Sequence, residues 1–94
     1  MALFAVTLTF TDDMERRLEI RPSHREYLAA LLERGNLHES GPFEDDSGAL
    51  IVYDAADVAE VQELLSADPY TPAGIIAGVT IKEWNIVMSR QAPA

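Results

Sequence analysis

Residues 3–10 read LFAVTLTF, and every second side chain in this stretch is large and apolar. One side of the extended chain carries Phe4, Val6, Leu8 and Phe10, while smaller or hydroxylated side chains occupy most of the other. Successive side chains of a β-strand point to opposite faces, so the alternation predicts a strand with one buried face. The β-branched and aromatic content favours the same assignment. The chain therefore begins with a strand.

The first predicted helix starts after Pro22. Residues 11–21 break the alternation with several charged side chains and lead up to this proline. Ser23 and Glu26 have the spacing of a capping box, in which two side chains satisfy backbone N–H groups at the start of a helix. Apolar side chains then recur every three or four residues, and Gly35 is placed to end the helix as a C-terminal cap.

Three further strands are expected. They are residues 37–40, 49–53 and 75–87. A polar loop at residues 44–48 joins the first two of these as a hairpin, and Gly78 can interrupt the last one. We expect residues 1–88 to form a single domain and residues 89–94 to form a disordered tail.

A second helix lies between the last two strands, with an apolar stripe that begins at Val58. Asp54 or Asp57 can cap its N-terminus. The helix should end near Ala67, because Pro69 disfavours helical dihedral angles in the residue before it. The predicted order of elements is therefore βαββαβ.

This order predicts an α+β protein with a ferredoxin-like fold. Two right-handed crossovers interleave the strands into one four-stranded antiparallel sheet, with both helices on one face. Tyr53, Trp84 and several aliphatic side chains lie on strand faces that cannot all be turned toward the helices. Small domains rarely leave a large apolar patch exposed, so we expect a homodimer that covers the second sheet face. A monomer with an apolar surface is the alternative.

The chain is strongly acidic, with 16 acidic and 7 basic side chains and a formal net charge of −9. Such a field repels phosphate backbones and anionic lipid surfaces, so neither nucleic acid nor a membrane is an expected partner. No apolar run reaches the roughly 18 residues that cross a bilayer. The chain has no cysteine, and its N-terminus lacks the basic region of a signal peptide. These features predict a cytoplasmic protein.

The basic residues gather in one stretch that contains Arg16, Arg17, Arg21 and Arg25. Glutamates are interleaved with them, as on a mixed solvated surface, although such a stretch is also compatible with a small anionic ligand. The acidic residues 44–46 lack the spacing of a calcium loop, and the two histidines are far apart in sequence. Neither a metal site nor a cofactor is predicted.

The predicted topology brings several polar residues to one end of the fold. His24 falls in the first turn of the first helix, and Asp68 follows the second helix. Ser40 and Gly41 stand at the end of the second strand. His24 also lies on the apolar stripe of its helix, where an imidazole needs a hydrogen-bond partner. An aspartate within reach would fix its tautomer and make the pair a general acid or base.

A purely structural interpretation of the same two residues is also open. His24 can tie the start of its helix to a neighbouring loop, and Asp68 can organise the Asp-Pro turn. The residue types alone do not separate this interpretation from the catalytic one.

Several short motifs follow one another along the chain. They are Arg21-Pro22-Ser23-His24, Ser40-Gly41-Pro42, Asp68-Pro69-Tyr70, Ala73-Gly74 and Lys82-Glu83-Trp84-Asn85. In this order and spacing they resemble the YciI-like (YCII-related) family over nearly the whole chain. The resemblance implies a dimeric α/β barrel formed by two ferredoxin-like protomers, and it places the family's histidine and aspartate on His24 and Asp68. It also implies proton transfer on small ring compounds, because a dehydrochlorinase of a chlorinated hydroxyquinol belongs to the family.

The expected function is a cofactor-independent lyase or isomerase acting on a small molecule. His24 would be the general acid or base and Asp68 would orient it. Ser40, beside Gly41, could hydrogen-bond a substrate oxygen and Arg21 could hold a carboxylate or phenolate, but both can equally be solvated residues at the ends of elements. Tyr70 could line the pocket or simply pack. The alternative is a non-catalytic dimeric module that binds a small ligand or supports a larger assembly.

Overall fold

A computed structural model describes residues 1–90 as six elements in the predicted order βαββαβ. They are β1 (Ala2–Phe10), α1 (Met14–Arg34), β2 (Leu37–Pro42), β3 (Gly48–Ala55), α2 (Val58–Ser66) and β4 (Ile76–Trp84). Residues 85–90 continue without helix or strand. The rest of the expected tail, residues 91–94, lies outside the described residues. Within residues 1–90 no helix is long and apolar enough to cross a membrane.

The four strands form one sheet in the order β2-β3-β1-β4, and every neighbouring pair is antiparallel. This is the interleaved arrangement that two crossover connections produce, and it confirms the predicted ferredoxin-like α+β fold. The central strands β1 and β3 set the register, because Phe4 lies opposite Tyr53 and Val6 lies opposite Ile51. Residues directly opposite each other share a face, so these four side chains line the same side of the sheet.

Both helices pack on that side of the sheet. Leu28 and Leu31 of α1 join Val61 and Leu65 of α2 in one buried cluster with the apolar strand residues. Each helix thus buries an apolar stripe against the inward strand positions, which is the main source of stability in a domain of this size. The sheet face turned away from the helices carries Thr7 near the middle of β1, a central strand.

The predicted start of the first helix is wrong. The helix begins at Met14, with Asp13 as its N-cap, and the Asp13 side chain accepts a hydrogen bond from the Arg16 backbone N–H at 3.1 Å. Pro22 therefore lies inside the helix, where a proline removes one backbone hydrogen bond at a cost of about 3 kcal/mol. The capped first turn and the burial of Arg17 accompany this longer helix.

The earlier start changes the position of His24 on the helix. His24 lies ten residues, about 15 Å along the axis, beyond Met14. It is therefore not in the first turn, and the positive end of the helix dipole does not act on it, since that effect fades within one turn. The predicted end of the helix is confirmed, because Gly35 adopts a left-handed conformation with φ 88°.

Other boundaries differ by a few residues from the sequence pattern. The hairpin strands extend to Pro42 and back to Gly48, where a larger side chain would collide with the Leu8 carbonyl group. Asp54 belongs to β3, and Asp57 is the N-cap of α2, accepting from the Glu60 backbone N–H at 2.9 Å. The last strand ends at Trp84, because residues 85–90 do not pair with a neighbouring strand.

Two tyrosines on the helix side of the sheet differ in how their hydroxyl groups are satisfied. The Tyr27 hydroxyl donates a hydrogen bond to the Leu64 carbonyl oxygen at 2.6 Å. The Tyr53 hydroxyl is fully buried and has no hydrogen-bond partner within residues 1–90. Burial, and then the negative charge of Asp68, raise the pKa of Tyr53 far above its usual value, so this hydroxyl stays protonated.

We expect the same Tyr→Phe change to have opposite effects at these two positions. Tyr53→Phe removes a buried polar group that has no partner and should raise the free energy of unfolding by about 1 kcal/mol. Tyr27→Phe, the matched control, leaves the Leu64 carbonyl oxygen without its donor and should lower it by about 1 kcal/mol. Urea unfolding at pH 7 measures both values. A clear loss of stability in Tyr53→Phe would contradict the burial of an unpaired hydroxyl.

Candidate active site

The imidazole of His24 contacts the carboxylate of Asp68 in the interior of the protein. His24 Nδ1 lies 2.8 Å from Oδ1 and 2.9 Å from Oδ2 of Asp68. The two residues are 44 positions apart in sequence, yet His24 is only 7% exposed and Asp68 is completely buried. A carboxylate at this depth would be costly if it lacked a partner. The two residues are therefore neighbours in the structure, as the topology predicted.

The turn after α2 holds Asp68 in place. Its Oδ1 also accepts a hydrogen bond from the Tyr70 backbone N–H at 2.9 Å, and its backbone carbonyl accepts one from the backbone N–H of Thr71. This is the local pattern by which an aspartate organises a turn. The structural role expected for Asp68 and its contact with His24 thus occur together, because one carboxylate serves both.

The same turn also fixes the plane of the imidazole. The Tyr70 ring stacks on the His24 ring, with 3.8 Å between centroids and 6° between planes. Phe10 meets Tyr70 edge-on at 5.8 Å. The Asp68 carboxylate accepts a hydrogen bond from Nδ1, so Nδ1 carries the proton of the neutral ring. Nε2 then has an unprotonated lone pair. No residue within 1–90 bonds Nε2.

A cavity of about 500 Å³ opens beside the imidazole, between α1 and the hairpin strand β2. Its lining includes every residue predicted to bind substrate, namely Arg21, Ser40, Gly41 and Tyr70, and it includes His24. Asp68 lies behind His24 and does not line the cavity. The predicted residues therefore surround one space, with the carboxylate on the far side of the imidazole.

The sequence pattern grouped the arginines of the cavity wall in one basic stretch but did not place them on one face of a helix. Arg17 and Arg25 line the cavity together with Arg21, and Phe10 also borders it. These arginines are four residues apart, so one face of a helix carries all three. That spacing is visible in the sequence, but it does not indicate a helix face while the first helix is predicted to start after Pro22.

Comparisons with known proteins agree with the fold. Residues 2–85 match the model of the YCII-related domain. Relatives described as Protein YciI, from Escherichia coli O6:H1 (strain CFT073) and from Shigella flexneri, are each 33% identical over an alignment of 86 residues. Each match covers 81% of this chain and 88% of the relative.

Two solved structures are similar to this chain. One is 5-chloro-2-hydroxyhydroquinone dehydrochlorinase from Burkholderia phenoliruptrix AC1100 in complex with 2,5-dihydroxybenzoquinone, with a TM-score of 0.78, 24% identity, and coverage of 88% of this chain and 93% of that chain. The other is muconolactone isomerase, with a TM-score of 0.70, 17% identity, and coverage of 97% of both chains. At these identities the likeness shows a shared fold.

We expect Asp68→Asn to change the tautomer of His24. The amide oxygen of the new side chain must take the Oδ1 position that faces the Tyr70 N–H, because an amide nitrogen cannot accept. The NH₂ group then takes the Oδ2 position, 2.9 Å from His24 Nδ1, where its N–H opposes a proton on Nδ1 and can donate only to an unprotonated nitrogen. The neutral ring should then carry its proton on Nε2. Nitrogen-15 shifts of the imidazole distinguish the two tautomers, and the exposed His38 ring serves as an internal control. An unchanged Nδ1-protonated ring in the variant would contradict this geometry.

Proposed function

The chain belongs to the YCII-related domain family, and we propose that it is a cofactor-independent lyase or isomerase that moves a proton on a small ring compound. The observation that supports this most strongly is the buried His24–Asp68 contact beside a cavity. A general base must present a lone pair to the substrate while its other nitrogen is held by a partner. The arrangement of Nδ1 and Nε2 in this protein meets that requirement.

In the proposed reaction His24 Nε2 takes a proton from a substrate carbon or hydroxyl group. Asp68 stabilises the imidazolium that forms, since its carboxylate is already in hydrogen-bonding contact with Nδ1. In an elimination, the electron pair of the broken C–H bond forms a double bond and the leaving group departs with its own bonding pair. In an isomerisation, the imidazolium returns the proton to a different atom of the same substrate.

The other lining residues would position the substrate. Ser40 lies on the helix side of β2, opposite Ile51, and its hydroxyl would donate to a substrate oxygen. Gly41 leaves the backbone beside it accessible. Arg21, half-buried in the wall, would hold a carboxylate or phenolate, and Tyr70 would bound the ring while keeping His24 in plane.

The reactions in the names of the two structurally similar enzymes favour this reaction class. One is a dehydrochlorinase of a chlorinated hydroxyhydroquinone, and the other is an isomerase of a lactone. Loss of hydrogen chloride and isomerisation of a ring compound both include the transfer of a proton. We extend that chemistry to this chain on the basis of its own His24–Asp68 pair and cavity.

We also propose that two protomers associate through the open face of the sheet. Thr7, Leu50 and Trp84 lie on this face, because Thr7 is opposite Leu50 and Trp84 is opposite Leu3, which shares a side of β1 with Thr7. Trp84 is 40% exposed and Leu50 is also exposed in the protomer. Burial of such side chains against a second copy would remove apolar area from water, at roughly 25 cal/mol per Å².

Proton transfer can be measured without knowing the natural substrate. The wild-type protein is incubated in D₂O with 5-chloro-2-hydroxyhydroquinone and with muconolactone, and NMR follows deuterium incorporation, elimination and isomerisation. We expect one of these conversions, and we expect His24→Asn to lower its kcat by about 100-fold or more, because the base is removed. Glu26→Gln, an exposed change on the same helix, is the control.

Two results would speak against an acid–base role for His24. One is full activity in His24→Asn. The other is binding of both compounds, seen as a thermal shift, without exchange or conversion in the wild type, which would favour the non-catalytic ligand-binding module.

The homodimer has its own test. Thr7→Arg places a charge near the centre of the open face and should reduce the mass measured by light scattering from that of two chains to that of one. Gln62→Arg, on the exposed side of α2, is the control and should leave the dimer intact. A wild-type protein with the mass of a single chain at all concentrations would show that the sheet face is not an interface.

A further inference from the structure

Arg17 is a buried arginine in the wall of the cavity. Its side chain is only 3% exposed, and its guanidinium lies over the Phe10 ring at 4.6 Å from the centroid. The only charged group within 4.0 Å of it in residues 1–90 is the carboxylate of Asp46, with Nη2 3.1 Å from Oδ1. Asp46 belongs to the hairpin loop between β2 and β3. A cation so deeply placed in a protein of net charge −9 requires an explanation.

The contact with Asp46 satisfies Arg17 only in part. Nη2 is buried, yet its approach to Asp46 lacks the angle of a hydrogen bond, and no other acceptor for it exists within residues 1–90. A guanidinium normally presents parallel N–H donors to a carboxylate in a two-pronged contact. Arg17 therefore retains buried donor capacity of the kind that a carboxylate ligand uses.

Asp46 is an exchangeable partner. Its side chain is 45% exposed, and its backbone has φ 64°, a left-handed conformation that aspartate and asparagine tolerate better than most residues. The loop does not depend on the ion pair for its shape. Asp45 Oδ1 accepts from the Ser47 N–H and hydroxyl, and the Phe10 N–H donates to the Ser47 carbonyl oxygen at 3.0 Å.

The position of Arg17 connects it to the His24–Asp68 pair. Two rings lie between them, because Arg17 contacts Phe10, Phe10 contacts Tyr70, and Tyr70 stacks on His24. Arg17 and His24 line the same cavity of about 500 Å³. A planar ring compound lying along this wall could place an anionic substituent at the guanidinium while a ring carbon faced the imidazole. The local positive charge of the arginine wall would favour that orientation.

We propose that Arg17 is the primary anion-binding residue of the cavity, that its ligand is the carboxylate of a planar ring compound, and that Asp46 occupies this position until the ligand displaces it. This inference specifies the substrate class and so rests on the proposed function, in which the same cavity holds the substrate. It assigns to Asp46 the role of an internal competitor for the substrate's carboxylate.

The probes are benzoate and its neutral isostere benzamide, titrated into the full-length protein and followed by NMR of the backbone and arginine side-chain N–H groups. Wild-type protein should bind benzoate more tightly than benzamide. Asp46→Asn preserves the left-handed backbone but removes the competing charge, so benzoate should bind about threefold more tightly or better, with benzamide unchanged. Arg17→Gln should reduce the preference for benzoate to the part that Arg21 and Arg25 provide, whereas Arg16→Gln, at an exposed arginine of the same turn, should leave it unchanged.

The double variant Arg17→Gln/Asp46→Asn separates Arg17 from its neighbours. If Arg17 holds the carboxylate, removing Asp46 in the Arg17→Gln background gives no gain in benzoate affinity. A gain that persists there, an unchanged or weaker affinity in Asp46→Asn, or equal binding of benzoate and benzamide in the wild type would each overturn the proposal. Should Arg17→Gln fail to fold, the Asp46→Asn result alone decides.

His24→Asn keeps this test independent of catalysis. The preference for benzoate should survive in His24→Asn, because Arg17 does not contact the imidazole. If Asp46→Asn binds benzoate more tightly but the wild type transfers no proton, the role of Arg17 is supported and the proposed enzymatic function is wrong. If turnover depends on His24 but Asp46→Asn leaves benzoate affinity unchanged, the proposed enzymatic function is supported and the role of Arg17 is wrong.

Discussion

The burial of one carboxylate constrains much of this structure. Asp68 is completely inaccessible to water, so it must be paired, and the partner that the fold supplies is the imidazole of His24. The contact joins the middle of α1 to the turn after α2, two segments that are far apart in sequence. The positions of both helices on the sheet, the plane of the imidazole and one wall of the cavity are all tied to this pairing.

The Asp-Pro-Tyr turn contributes to the site in three ways. Its aspartate supplies the carboxylate, its proline ends α2 by disfavouring helical dihedral angles before it, and its tyrosine stacks on the imidazole. The Tyr70 backbone N–H also holds the carboxylate in position at 2.9 Å. Because one short turn carries all these contacts, a change in its backbone would disturb carboxylate and ring together. Asp68 bonds the edge of the His24 ring and Tyr70 stacks on its face, so the ring has little freedom to turn away from the cavity.

The sequence predicted the parts of this protein that depend on alternation and on crossover topology. The strand pattern around Val6 and the glycine cap at Gly35 identified the sheet and the end of α1, and the topology brought His24 near Asp68. It failed at Pro22, where a strong local signal for a helix start was overridden by tertiary packing. That single error left residues 11–21 outside the predicted helix, so the face of α1 that carries Arg17, Arg21 and Arg25 was not recognised. Local propensity cannot reveal that Arg17 is buried, since its burial depends on a distant hairpin loop.

The two aspartates that pair with cavity residues illustrate how depth determines the role of a charge. Asp68 is fully buried and is bonded by a backbone N–H as well as by His24, so exchanging its partner for water or ligand would cost several kcal/mol. Asp46 is half-exposed and contacts its arginine with poor angular geometry, so its carboxylate can leave the contact more readily than that of Asp68 can leave His24. The first aspartate is therefore suited to a permanent position behind the imidazole. The second is suited to a site where one anion must give way to another, since an incoming carboxylate has to outcompete only a weak contact.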